Sequence, residues 1–177
     1  MSQFANRFND RPEDIQAYVQ SLLDLVGDRE PLALLSTLLT QIDELTRGLS
    51  DERLRKPEAP GKWSIANVVQ HLSDAELFYA IRYRLTLAHD EPPLAGYDQD
   101  AFAARLHYDA IPFAESVAFL SATRRANLNL LRLLNVAERE RAAMHAERGR
   151  ETVDRLMHLH AAHDLVHLRQ IERIRNS

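Results

Sequence analysis

The stretch TVDRLMHLHAAHDLVHLRQIERIR, Thr152 to Arg175, decides the fold. Val153, Leu156, His160, His163, His167, Gln170 and Ile174 follow one another at alternating steps of three and four, the seam that one helix shows its neighbours in a bundle. Three imidazoles interrupt that seam, and Gln170 extends the polar patch by one turn. His158 lies off it and is expected to face solvent.

Working outward, the same periodicity recurs. Pro12 to Val26 carries Ile15, Val19, Leu22 and Leu23 at helical spacing, with Pro12 suited to a first turn. Leu32 to Leu49 reads as one helix with Leu35, Leu38, Leu39, Ile42 and Leu45 on a face. The prolines and glycine of LRKPEAPGKW make a loop. Ser64 then caps a helix running to about Ala88, with Ile65, Val68, Val69, Leu72 and Ala75 as its stripe. HDEPPLAGYDQDAF is the longest irregular connection, with a short helix expected near Phe102. A further long helix covers Pro112 to about Leu134 through Val117, Leu120, Leu128, Leu131 and Leu134.

No segment alternates with period two for long enough to predict a strand, and no repeat or linker divides the chain. The expectation is one domain over residues 1–177, an all-α four-helix bundle with a short N-terminal helical extension over 1–28. A long crossover joins the second and third main helices, and a connection of that length can join helices that run parallel.

The chain of 177 residues is 45% hydrophobic and 27% charged, ordinary for a globular protein and wrong for a disordered or fibrous one. Its formal charge of −4, with acids and bases interspersed, argues against a nucleic-acid backbone binder. With no cysteine there is no disulfide framework, thiolate metal site or cysteine nucleophile. The N-terminal MSQFANRFNDRPEDIQ lacks the apolar run of a secretory signal, and no stretch reads as a membrane span, so a cytoplasmic location is expected.

One histidine on an apolar face is most often a core residue bonded to a neighbour. Three within two turns weigh differently, because each buried ring brings nitrogens that need partners and one divalent cation satisfies several rings together. His163 and His167, four apart, aim from consecutive turns at one point. The best third ligand is His71 in NVVQHLSDAE, at the edge of the Val68–Leu72–Ala75 stripe. Asp74, three residues on, is placed to hold a ring N–H of His71. A boundary histidine facing water, with Asp74 complementing the helix dipole, is the alternative. His89, His107 and His145 fall in or beside connections and read as solvent-exposed.

PGKWSIANVVQHLSDAE, AGYDQDAFAARLHYDAIP, FLSATRRANLNLLRLL and HAERGRETVDRLMHLHAAHDLVHLRQIERIR, in this order and spacing, resemble the DinB-like family, which includes bacillithiol transferases and YfiT-type proteins. The likeness extends from about Pro57 onward. It implies up-down-down-up topology, a divalent metal held by His71, His163 and His167, and a homodimer. His160 is additional to the family's pattern, a pocket neighbour or an alternative ligand. Trp63 matches the family's tryptophan and reads as packing at the loop-to-helix junction.

A three-histidine site leaves a coordination position open to water or substrate. Imidazole donors suit zinc or nickel, with iron or manganese as further candidates. The first expectation is a metal-dependent S-transferase using a low-molecular-weight thiol as co-substrate. A metal-dependent hydrolase of a small molecule is the second, and a non-catalytic metal or small-molecule binder in a stress response the third. Gln170 is placed to bond bound water or substrate. Arg82, three turns beyond His71 on a similar face, is placed to meet a carboxylate of a thiol cofactor, or is an exposed or salt-bridged helix residue.

Overall fold

The computed structural model describes residues 12–177, so the expectations for residues 1–11 lie outside the described residues. Four long helical stretches form the body. They are α2 (Pro31–Leu35) with α3 (Leu38–Thr46), α5 (Ile65–Ala88), α7 (Phe113–Leu131) and α9 (Val153–Arg175). Helix α1 (Pro12–Val26) lies on the outer side of α9, where Ile15 and Val19 pack against Leu159.

The expected single helix from Leu32 to Leu49 is broken. The hydroxyl of Ser36 donates to the Leu32 carbonyl at 2.7 Å and that of Thr37 to the Leu34 carbonyl at 2.8 Å. Side-chain hydroxyls thus compete with the backbone ladder. Arg124 of α7 takes the Leu35 carbonyl at 2.9 Å, giving the freed acceptor a buried partner. Two further short helices were not expected from the sequence. One is α4 (Asp51–Arg55), capped by Ser50, and the other α8 (Val136–Arg139), whose Asn135 and Glu138 form a capping box. The third long helix therefore stops at Leu131, short of the expected Leu134.

The connection from α5 to α7 contains β1 (Pro93–Leu94), α6 (Gln99–Arg105) and a 3-10 turn (Tyr108–Ala110). Contrary to the strand-free expectation, β1 pairs in parallel with β2 (Ala142–His145), and β2 pairs antiparallel with β3 (Gly149–Thr152), in the register Ala142 to Thr152 through His145 to Gly149. The strands escaped notice because each is at most four residues long. Leu94 and Ala143 of this sheet join Tyr83, Leu156 and Met157 in one apolar core cluster. A second cluster holds Leu38, Trp63, Ile65, Leu72, Leu168 and Ile171.

The buried polar and charged side chains of α5, α7 and α9 occupy the bundle interior alongside these two clusters. That is where the histidines lie. None of the described helices is long and apolar enough to cross a membrane.

Candidate metal centre

Helix α5 starts at a capping box: Ser64 Oγ accepts from Asn67 N at 3.2 Å, and Asn67 Oδ1 accepts from Ser64 N at 3.0 Å. This fixes the helix start and places His71 in the second turn, fully buried against α9. His71 Nε2 lies 3.0 Å from His163 Nε2, and one nitrogen from each of His71, His163 and His167 falls within 4.8 Å of the others. Tetrahedral coordination at 2.0–2.1 Å separates ligand nitrogens by about 3.3 Å, so the His71–His163 pair is already near that spacing.

Electrostatics prepare the rings as ligands. Burial holds the pKa of His71 and of His163 well below the ordinary value, with the neighbouring histidines adding to the effect. Burial lowers His167 to about 4, partly offset by its bond to Gln170. All three are neutral at neutral pH, the form that coordinates metal. Without a cation, one of the two facing Nε2 atoms must donate to the other. Nδ1 of His71 and Nδ1 of His163 are buried with no partner. A cation between the rings would let both Nε2 atoms present lone pairs, so the donor set fits a divalent metal.

His167 differs, since its Nδ1 lies 2.8 Å from Gln170 Oε1. With Nδ1–H donating there, Nε2 is left as the lone pair. Gln170 thus orients the His167 ring, where the sequence suggested contact with water or substrate. Asp74 does not meet the expected ring N–H of His71. Its carboxylate accepts from the Tyr108 hydroxyl at 2.6 Å and from Gln70 Nε2 at 3.3 Å. His107, in left-handed conformation (φ 55), turns the chain so that Tyr108 is buried.

His160 stands apart from the three-histidine group. Its Nε2 lies 3.2 Å from Glu76 Oε2, its Nδ1 3.1 Å from the Tyr83 hydroxyl, and its ring stacks on Tyr79 at 3.9 Å. It belongs to an ionic cluster that sequence reasoning missed. In that cluster, buried Arg124 donates to Glu76 at 2.6 Å and to both oxygens of Asp164 at 2.7 and 3.1 Å. The signal was legible: Arg124 and Glu76 each continue an apolar stripe, four residues after Leu120 and Leu72 respectively.

The aromatic surroundings were legible in part. Trp63 is buried at the loop-to-helix junction as expected, and its ring also lies 5.0 Å from His71 and 6.5 Å from His167. Tyr97 of the crossover stacks on Phe78 at 4.2 Å and reaches to 6.5 Å from the His71 ring. His89 and His107 are exposed as read, and His158 is half-buried with Nδ1 2.9 Å from the Asp154 carbonyl. His145 corrects the reading, because it is buried in β2, 2% exposed. Arg82 is neither exposed nor salt-bridged. It is 6% exposed and, among the described residues, has no carboxylate partner.

A bundle in which three imidazoles converge from two helices, His71 and His167 buried and His163 partly so, defines a candidate helical metal centre. The family profile of the DinB superfamily matches residues 34–171, and this chain belongs to that superfamily. It is 26% identical over 140 residues to an Oceanobacillus iheyensis protein named "Putative metal-dependent hydrolase", covering 75% of this chain and 81% of that one. A Bacillus pumilus protein of the same name is 28% identical over 142 residues, covering 77% and 80%. Among solved structures, the fold matches YfiT from Bacillus subtilis, described as a probable metal-dependent hydrolase with an unusual four-helix bundle topology. That match has a TM-score of 0.74 and 21% identity, over 97% of this chain and 91% of that one.

Proposed function

We propose that this chain is a metal-dependent hydrolase of a small molecule, its divalent cation held by His71, His163 and His167. The observation that carries the reading is the convergence of three neutral imidazoles, two of them with Nε2 atoms 3.0 Å apart and no other use for those atoms. The names of the relatives point to the same chemistry. Such an ion supplies a Lewis acid that brings the pKa of a small nucleophile toward about 7.

The chain's own residues do the remaining work. Gln170 fixes the tautomer of His167 that carries its proton on Nδ1. Trp63 and Tyr97 wall the centre with apolar rings that limit water. Asp74 stands one turn beyond His71. Burial raises its pKa against the pull of Tyr108 and Gln70, and its carboxylate anchors Tyr108 of the crossover to α5.

Transfer of a low-molecular-weight thiol is the second reading, and the aromatic wall favours it. A thiolate is larger and less tightly hydrated than hydroxide, so it loses less on entering an apolar site.

The test begins with the metal content of freshly purified protein, beside a His163→Ala/His167→Ala double variant. Metal near one equivalent in the parent and none in the variant is expected. Ester and amide panels without thiol, then electrophile panels with common bacterial thiols, separate hydrolysis from transfer. A metal-loaded protein that turns over neither panel is a binder, and the enzymatic reading falls.

A further inference from the structure

Outside the three-histidine centre, one buried cation among the described residues has no bonded carboxylate. Arg82 of α5 is 6% exposed. Its guanidinium lies over the rings of Phe78 and Tyr79, 5.8 and 5.6 Å from their centroids, and donates from one terminal nitrogen to the Ala95 carbonyl at 2.9 Å. Its Nε–H is buried and has no acceptor. The nearby acid, Glu151, is fully buried and committed to Arg148 through two bonds of 2.6 and 2.8 Å. Aromatic faces offset part of the cost of a buried guanidinium but leave its edge N–H groups unsatisfied.

His145 makes the shortage of acceptors sharper. Its Nδ1 accepts the backbone N–H of Glu147 at 3.2 Å. A neutral imidazole has one accepting nitrogen, so Nε2 carries the proton. That N–H then faces the Arg82 terminal nitrogen, itself always a donor, at 3.4 Å. Burial and the two arginines hold the His145 pKa down to about 3, which keeps the ring neutral. Arg82 Nε–H therefore lacks an acceptor, and the Arg82 terminal nitrogen and His145 Nε2 face each other as two donors. Arg148, paired with Glu151, is the second cation whose charge bears on His145 and Arg82.

We infer that Arg82 and His145 form a subsite for an anionic group, a carboxylate or a phosphate, carried by the small molecule on which the chain acts. Two oxygens of such a group would accept from Arg82 Nε and from His145 Nε2, turning the donor–donor contact into a bridge. Arginine side chains lean toward the start of their helix, so the guanidinium comes back from its position three turns beyond His71. This places the anion about 10–15 Å from the histidine centre and calls for an elongated substrate with its reacting bond far from its charge. The assignment rests on the proposed function for the identity of the ligand as a substrate, but the anion site itself does not depend on metal.

The experiment uses the full chain, nitrogen-15 labelled, titrated with inorganic phosphate and separately with acetate at fixed ionic strength. The arginine Nε–Hε resonances and the unfolding midpoint are followed. One arginine resonance, absent in Arg82→Gln, should shift saturably, and binding should weaken roughly tenfold or more in that variant. Arg82→Lys, which keeps the charge, should retain part of the affinity. Without anion, Arg82→Gln should unfold at or above the parent's midpoint, because it removes an unpaired buried charge; a purely structural arginine would give the opposite. The His163→Ala/His167→Ala variant should bind the probe like the parent, so loss of metal chemistry and loss of the subsite are read separately. Saturation by acetate alone identifies a carboxylate, and by phosphate alone a phosphate. No saturable response to either, or an equal response in Arg82→Gln, overturns the subsite.

Discussion

His167 Nδ1 and Gln170 Oε1 lie 2.8 Å apart on one face of α9, whereas Nδ1 of His71 and of His163 is buried without a partner among the described residues. Partners of this kind fix a ligand's tautomer, and losing one typically lowers metal affinity about 10–100-fold. Gln170→Ala is expected to fall in that range in competition against a chromophoric chelator. Gln170→Glu, which keeps the acceptor and adds charge, should hold metal at least as well as the parent. Equal affinity in the parent and Gln170→Ala would remove Gln170 from the centre.

The cluster around Arg124 makes a different prediction. Burial would raise the pKa of Glu76, yet His160, Arg124 and Asn127 hold it at about 2, so the buried carboxylate is charged. Replacing Arg124 with Met leaves Glu76 and Asp164 buried without their cation, a loss of about 3–5 kcal/mol. The triple change Arg124→Met, Glu76→Gln, Asp164→Asn should lose much less. Urea unfolding of the metal-free proteins gives both values. A single substitution as mild as the triple would mean that water reaches these carboxylates.

Acid should destabilise the metal-free protein early. The folded chain holds His167 at about 4 and His145 at about 3, in both cases chiefly through burial, against about 6.5 in the unfolded chain. As pH falls below about 6.5 the unfolded state takes up protons that the folded state refuses, so stability declines from there toward about 4. Each such histidine contributes a slope of up to about 1.4 kcal/mol per pH unit. Denaturant midpoints measured across this window should fall steadily and then flatten for His167. A flat profile between neutrality and about pH 5 would show that the rings are not buried in solution.

The reasons why the centre was legible, and its surroundings less so, are local. A three-four seam interrupted by imidazoles is a short-range pattern, so His163 and His167 announced themselves on one helix, and His71 followed from needing a partner across the bundle. The helix break at Ser36 was hidden because an apolar stripe continues straight through it. What breaks the helix there is two hydroxyls and a guanidinium arriving from residue 124. Asp74 was misassigned because helical spacing places it near His71 but says nothing of Tyr108, which arrives from the crossover and claims its carboxylate. His145 looked like a loop residue because a four-residue strand paired through long-range contacts leaves almost no periodic trace. Contacts made within one helix were readable; those delivered by the crossover and the small sheet were not.

Trp63 offers a direct optical reading of the centre. It is the single tryptophan of the chain, and its ring lies 5.0 Å from His71 and 6.5 Å from His167. A paramagnetic divalent ion such as nickel or cobalt, bound by these rings, sits close enough to quench the indole strongly. Titration of metal-free protein should therefore give a saturating loss of fluorescence near one equivalent. Zinc should block that loss when added first, because it takes the same ligands. The His163→Ala/His167→Ala variant should show only the weak collisional quenching of free indole. Because Trp63 also packs with Ile65 and Leu72, Trp63→Phe should keep metal affinity while abolishing the signal. Saturating quenching that survives in the double histidine variant would place the cation elsewhere, and the three-histidine centre would have to be given up.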